Sequence, residues 1–442
     1  MGRTLTASSS LINCIKSHAR LSSNLNILSF SLGTIGPLFS GLSFRESAGV
    51  IIGFSLMGGI VPAYLWYGTA VPGVLQLLGI VGYNIINVIL GGQILSVVSG
   101  GSLSWNVGIV VITSTSENRF KYQRMIEILS QITFFGYQVL NWYERYAWFP
   151  ILVVFLVVIG VGGKHLSDPL ATAGPASHQS VLSFASTVAG FVISYSPAMS
   201  DYTHYMQPEV SSWKLFAFSY FGLVVPTASV SLLGAAFAAS LPNMPGWQVG
   251  YDTNGAGGLI AAVLAPVGGF GKFLLVLLAL SVIGSLGPNL YSFCFSFQVV
   301  FPFLARVPRY VFSFFGSVIV IPLAIVGATR FQTTLVNFLG LVGYWTSTFV
   351  AVLIVEHVVF KRCDFSRYDI SIWNSPGQLP PGLAAISACV LGFGMIVVCM
   401  SQVWYTGPVA KLSGDIGLEI GFVLTALCYL PLRMLEQRLY GR

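Results

Sequence analysis

The chain has 442 residues, 55% hydrophobic and 8% charged, with a formal net charge of +7. A soluble domain carries about 25% charged residues, so this composition excludes an ordinary water-facing surface and points to an integral membrane protein. The positive charge excludes nothing by itself, but its distribution argues against a nucleic-acid face. Of the 21 Lys and Arg, Arg45, Lys164, Lys272, Arg330 and Lys411 fall on one side of the expected bilayer, and Arg119, Lys121 and Arg124 lie in a polar insert. The others gather in the tails and alternate loops, the positive-inside pattern for two cytoplasmic termini.

Residues 1–24 form a polar amino tail without the apolar core of a signal peptide. A membrane span needs about 20 apolar residues. That rule predicts about twelve spans, beginning with 27–44, 48–66, 71–98, an interrupted segment within 107–140, 149–162 and 180–199. The second half adds 215–241, 270–297, 310–328, 334–355, 383–400 and 416–432. Polar, proline-bearing stretches at 243–254 and 364–381 separate the later spans, and 433–442 reads as a carboxyl tail. Trp66-Tyr67-Gly68-Thr69-Ala70 leaves almost no loop between spans two and three. Span four is split by a polar run from Ser114 to Arg124, expected to loop into water because each mid-membrane charge costs about 2.5–3.5 kcal/mol.

Three spans read as poor continuous helices. The first contains Leu32-Gly33-Thr34-Ile35-Gly36-Pro37, the sixth Ser194-Tyr195-Ser196-Pro197, and the eighth Ser285-Leu286-Gly287-Pro288-Asn289. Proline lacks a backbone donor, glycine favours unwinding, and freed backbone groups survive at membrane depth where they line a cavity. Breaks in spans one and six suggest an all-α protein built from two inverted five-span repeats, about 25–162 and 180–355, with extra helices at 383–432. The whole transporter body is 25–432, and Gly33, Gly36, Pro37 and Pro197 are expected to line its site. Ordinary helix kinks are the alternative.

Catalytic motifs are missing: there is no H-E-x-x-H, C-x-x-C or G-x-S-x-G, and neither Gly163-Lys164 nor Gly271-Lys272 belongs to a phosphate loop. The scattered histidines suggest no metal, and no cofactor is implied. Cys14 and Cys363 fall in cytoplasmic segments and the other four cysteines in spans, so no disulfide framework is expected.

Uncharged polar groups in the spans carry the functional reading. Tyr83 and Asn87 share one helix face four residues apart, Tyr195 sits at the span-six break, and Ser285, Pro288 and Asn289 lie in span eight. Two aromatic rings and two amides suit a flat heterocycle, with rings on its faces and amides at its edge. Each residue alone could equally serve as interhelical glue, worth about 0.6–2 kcal/mol.

Asp201-Tyr202-Thr203-His204-Tyr205-Met206 resembles a signature of fungal purine–cytosine permeases, in the nucleobase–cation symporter-1 family. Supporting matches are the stretch from Leu32 to Pro37, Gly82-Tyr83, Asn87, Gly92-Gln93, Trp142-Tyr143-Glu144-Arg145, Pro288-Asn289-Leu290-Tyr291 and Glu356-His357. The resemblance implies a leucine-transporter-type fold, alternating access, and uptake of cytosine and purines with a cation, usually a proton. It places Tyr83 and Tyr195 on the two stacking aromatics, Asn87 and Asn289 on the two amides, and Ser29 on a serine tied to substrate recognition. Ile283 and Gly284 stand where sodium-coupled relatives have hydroxyls, which favours protons. Asp201 and Glu356, acids near span ends, are then coupling or gating residues, or else structural partners of Lys and Arg. The expected partners are a nucleobase, a proton and membrane lipids, without nucleic acid, and the expected location is the plasma membrane. Ser285-Leu286 stands where the permeases usually have Asn-Asn, which leaves a related heterocycle such as a nucleoside or vitamin open. The short second loop and the split fourth span leave a transport-incompetent paralogue open as well.

Overall fold

A backbone with no water to bond must close its own hydrogen bonds, and an apolar chain in a bilayer does so as helices. The computed structural model describes residues 67–117, 137–166, 177–198, 212–304, 306–329, 331–364, 367–368 and 380–441. The first two predicted spans, with Ser29, Gly33, Gly36 and Pro37, lie outside the described residues, as does Asp201.

The helices in chain order are α1 (Tyr67–Val98), α2 (Trp105–Glu117), α3 (Tyr137–Gly162), α4 (His178–Ile193) and α5 (Ser212–Ser240). There follow α6 (Pro245–Leu264), α7 (Gly269–Val300), α8 (Arg309–Ala328) and α9 (Phe331–Val355), which runs on as a π-helical turn at Glu356–Phe360. The last are α10 (Leu383–Cys399), the short α11 (Ala410–Ser413) and α12 (Gly417–Tyr440). A two-stranded antiparallel hairpin, β1 (Ser401–Gln402) and β2 (Tyr405–Thr406), joins α10 to α11. Among the described residues eight helices are long and apolar enough to cross a membrane, and α10, with 17 residues, is apolar but shorter.

The surface is inverted relative to a soluble protein. Phe221 (62% exposed), Phe314 (59%) and Leu427 (60%) face outward, whereas Asn84 (2%), Asn87 (7%) and Thr346 (0%) are inside. A lipid solvent explains both, since exposed apolar groups cost nothing there and polar groups seek partners within the bundle.

Residues of α1 to α9 share one core centred on α1 and α7, including Ile89, Leu90, Phe237, Leu259, Leu278 and Val320. A second cluster, with Val352, Ala388 and Tyr429, packs α10 and α12 on α9. Between the cores, α4 and α9 approach backbone to backbone. A Cβ on Gly343 would lie 2.9 Å from Gly190 Cα.

Four expectations are corrected. The eighth span is not broken, because α7 is helical from Gly269 through Pro288 to Val300. Proline forfeits one hydrogen bond, and the packing of α7 along α1 holds the remaining turns. Residues 243–254 are not a mere polar separator, since most of them belong to α6. That helix buries Trp247, Leu259, Ile260 and Val263 and turns at Asn254–Gly255, where Gly255 has φ of 59°. Asn254 Oδ1 accepts from Trp105 Nε1 at 3.0 Å, pinning the turn to α2. The polar insert starts helical, because α2 runs to Glu117. Finally, the stretch read as a carboxyl tail continues α12 to Tyr440, with Arg433 and Glu436 buried. Tyr67 to Ala70, expected to leave almost no loop before the third span, form the first turn of α1.

Candidate substrate site

The centre of the bundle collects the polar residues of α1, the end of α4, and α7. On α1, Tyr83, Asn84 and Asn87 fall within one helical turn, which turns them toward the same neighbours. α4 is started by Ser177, whose Oγ accepts from Ser180 N at 3.2 Å, and ends at Ile193. A turn at Ser194–Tyr195 and a 3-10 turn at Ser196–Ala198, containing Pro197, follow. The predicted break in span six is therefore present, and it delivers Tyr195 to the core.

Tyr83 and Tyr195 meet there. Their rings are 6.1 Å apart between centroids and inclined by only 19°. Phe191 packs edge-on against both, at 5.8 Å from Tyr83 and 5.4 Å from Tyr195. Phe338 of α9 meets Tyr83 edge-on at 5.3 Å, and it lies so close over Gly82 that a Cβ there would overlap its ring. Tyr83 Oη and Ser194 Oγ are hydrogen-bonded at 2.7 Å, and Ser194 Oγ donates to Phe191 O at 2.6 Å. A flat guest between two rings needs two contacts of about 3.5 Å each, about 7 Å in all. The pair stands about 1 Å short of that, so the two tyrosines face each other with no room for a guest.

The amides form the second wall. Asn289 Nδ2 donates to Asn84 Oδ1 at 3.1 Å, linking α7 to α1. Asn87 is 7% exposed, one turn from Asn84. On α7, Ser281, Ser285 and Asn289 follow at helical spacing, and Ser285 Oγ donates to Ser281 O at 3.5 Å. Every group named here is uncharged, so the assembly offers π faces, amide donors and acceptors, and hydroxyls. Among the described residues no group of three His, Cys, Asp or Glu is placed to hold a metal ion.

Tyr83, Asn87, Tyr195, Ser285, Pro288 and Asn289 thus lie on the three elements that converge here. Glu356 does not belong to this group. It follows Phe338 on the same helix by 18 positions, about 27 Å at 1.5 Å per residue. It is 3% exposed and ion-paired to Arg433, with Nε to Oε2 at 3.3 Å. Tyr429 Oη donates to it at 2.8 Å, Arg433 Nη1 donates to Glu436 Oε2 at 2.8 Å, and Glu436 Oε1 accepts from Ala384 N at 3.3 Å. This closed network supports the structural alternative for Glu356.

Sequence reasoning passed over Asn84, Ser194, Phe191 and Phe338. Ser194 stands inside a quoted motif, Asn84 directly follows Tyr83, and the i, i+3 spacing of Asn84 and Asn87 marks a shared face. No sequence signal singles out Phe338, which reaches Tyr83 only through the fold.

Known proteins resemble this chain along nearly all of its length. Residues 18–421 match the family described as permeases for cytosine/purines, uracil, thiamine and allantoin. The purine-cytosine permease fcyB of Emericella nidulans is 34% identical, over 96% of this chain and 85% of its own length. FCY21, a purine-cytosine permease of Saccharomyces cerevisiae, is 32% identical over 95% of this chain and 83% of its own length. The vitamin B6 transporter TPN1 of the same yeast is 26% identical over 96% and 84%. Among solved structures, Mhp1, a nucleobase-cation-symport-1 family transporter with bromovinylhydantoin bound, matches with a TM-score of 0.64. It is 14% identical, and the match covers 98% of this chain and 92% of Mhp1. That likeness bears out the all-α, leucine-transporter-type fold expected from the sequence.

Proposed function

The chain belongs to the family of permeases for cytosine/purines, uracil, thiamine and allantoin, and we propose that it takes up nucleobases, cytosine or purines, by proton symport with alternating access. The observation that carries this reading is the near-parallel pair of Tyr83 and Tyr195, together with the hydrogen bond between the Asn289 and Asn84 amides. A planar base fits between rings and reads amides at its edge. Separating the two rings by about 1 Å opens the slot, so base binding and rearrangement of the α4 break are one event. That coupling is what alternating access requires, since a ligand shifts an equilibrium only by its differential affinity for the two states.

In this reading Asn289, Asn87 and Ser285 address the edge of the base. Ser29 and the helix-breaking Gly33, Gly36 and Pro37 of the first span are assigned to the same site on their sequence alone. Proton coupling is supported by Ile283 and Gly284, neither of which carries a hydroxyl for sodium. Asp201 and Glu356 act at the margins, Glu356 by holding α9 to α12. The positive-inside pattern supports cytoplasmic termini, and uptake from outside the cell is the reading that goes with a plasma-membrane location.

Uptake of radiolabelled cytosine and adenine by permease-null yeast expressing the chain tests the proposal. Saturable uptake that unlabelled base competes away supports it. Uptake of pyridoxine in place of either base would favour the vitamin reading, which the TPN1 likeness and Ser285-Leu286 motivate.

A further inference from the structure

Asp415 lies between α11 and α12, away from the ring pair, and is 8% exposed. A carboxylate so buried ordinarily has a cation beside it. No ion pair of Asp415 occurs among the described residues. Hydrogen bonds from three directions take the place of one. Its Oδ2 accepts from Tyr344 Oη of α9 at 2.5 Å, from Ser401 N at 3.2 Å and from Gln402 Nε2 at 3.4 Å. Its Oδ1 accepts from Gly417 N at 3.0 Å.

Gln402 supplies a second, independent sign. It is 6% exposed, and its Nε2 also donates to Tyr344 Oη at 2.7 Å, yet its Oε1 has no hydrogen-bond partner. The amide is pressed against α9, where a Cβ on Gly340 would overlap it. A buried acceptor without a donor costs about 1–3 kcal/mol. Rotating the amide turns that oxygen toward Asp415, where a protonated carboxyl would donate to it. That exchange gives up the Nε2 bonds to Tyr344 and Asp415 and gains a bond that only a protonated Asp415 can make.

The charges around it agree. α4 presents Gln179, Ser183 and Ser186, with His178 exposed at its start, and α11 carries Lys411, also exposed. α10 ends at the buried thiol of Cys399, and α12 presents Glu419, whose Oε2 accepts from Ser186 Oγ at 3.2 Å. Burial pushes the Asp415 carboxyl above its ordinary range, while the hydrogen bonds from Tyr344, Gly417, Ser401 and Gln402 pull it back only in part.

The position is also mechanically connected. Asp415 N donates to Ser183 Oγ at 2.9 Å, and Gln179 Nε2 donates to Leu412 O at 2.9 Å. About 15 Å further along α4, the same helix ends in the Ser194–Tyr195 turn of the ring pair. α4 and α9, which meet at Gly190 and Gly343, thus bracket both places.

We propose that Asp415 is a proton-binding site of this transporter, loaded and emptied in each cycle, with Tyr344 and Gln402 framing the proton. It rests on the symport reading above. The proton comes from water and adds to a carboxylate oxygen. The negative charge that gathers donors from α9, the hairpin and α12 is then removed, and the Gln402 amide turns to accept.

The test uses the full chain and the variants Asp415→Asn, Asp415→Glu and Tyr344→Phe, with surface expression, cytosine binding and cytosine uptake followed from acidic to neutral pH. The parental chain should accumulate cytosine better at acidic pH and lose accumulation to a protonophore. Asp415→Asn should bind cytosine with parental affinity, lose the pH dependence, and accumulate at least about tenfold less, the equivalent of one pH unit of driving force. Asp415→Glu should restore pH dependence. Tyr344→Phe removes a donor to the ionised form, so its uptake midpoint should move to higher pH. A parental pH profile and accumulation in Asp415→Asn would overturn the proposal while leaving symport intact. Should that variant fail to reach the surface, an unmoved midpoint in Tyr344→Phe would overturn it instead. Parental uptake indifferent to protonophore would defeat the symport reading itself.

Discussion

Replacing Asn289 by Ala separates substrate recognition from helix-to-helix glue. Asn289 Nδ2 donates to Asn84 Oδ1, and Asn84 is 2% exposed, so the truncation strands a buried acceptor on α1. That alone destabilises by about 1–3 kcal/mol. If Asn289 also addresses the edge of a base, the bound complex loses a further bond of the same order, which weakens binding about five- to 150-fold. The two effects part company in a cycle with Asn84→Ala. Removing both amides relieves the stranded acceptor, so thermal stability of the double variant should recover toward that of Asn84→Ala. Cytosine affinity should not recover, because the contact to the base is still missing. Equilibrium binding to detergent-solubilised protein, with melting followed in parallel, measures both. Parental affinity in the double variant would show that Asn289 does nothing but bridge α7 and α1.

Tyr195→Ala should raise the cytosine Kd more than Tyr195→Trp or Tyr195→Phe does, since an aromatic contact is worth about 0.5–1.5 kcal/mol beyond its area; equal binding by all three would refute the stacking. Tyr83→Phe keeps the ring but releases Ser194, and should alter the rate of uptake more than the affinity, as read by single-turnover kinetics. Arg433→Met leaves Glu356 buried without its cation and should cost about 3–5 kcal/mol, seen as a lower melting temperature and lost surface expression. Gly343→Leu should abolish uptake by forcing α4 from α9, and normal uptake would show that their close approach is dispensable. Replacing external sodium with choline should leave initial uptake unchanged.

Most of the membrane-spanning helices were legible because run length and apolarity suffice to identify a span in a medium that tolerates little else. α6 was not, because Gln248, Asp252, Thr253 and Asn254 interrupt its apolar run and only one face packs on α1. The end of α12 was hidden for a related reason. Arg433 and Glu436 look like tail charges until Arg433 is seen to pair both with Glu436 and with Glu356, 77 positions away. The proline of α7 gave a false break because sequence shows the missing donor and not the neighbouring helix that holds the turn. Within the site, Tyr83, Asn87, Tyr195 and Asn289 could be chosen by type and spacing, while the Phe338 contact and the Asn84 bond exist only in three dimensions. Asp415 drew no notice at all, since nothing in Gly414-Asp415-Ile416 reveals that it is buried and without an ion pair among the described residues.

The purified chain in proteoliposomes, given radiolabelled cytosine or adenine under an imposed inward proton gradient in sodium-free buffer, tests the central claim most directly. The account predicts accumulation of base above the external concentration, abolished by a protonophore and reduced by Asn289→Ala. Base that neither binds nor accumulates under any ion gradient would contradict it.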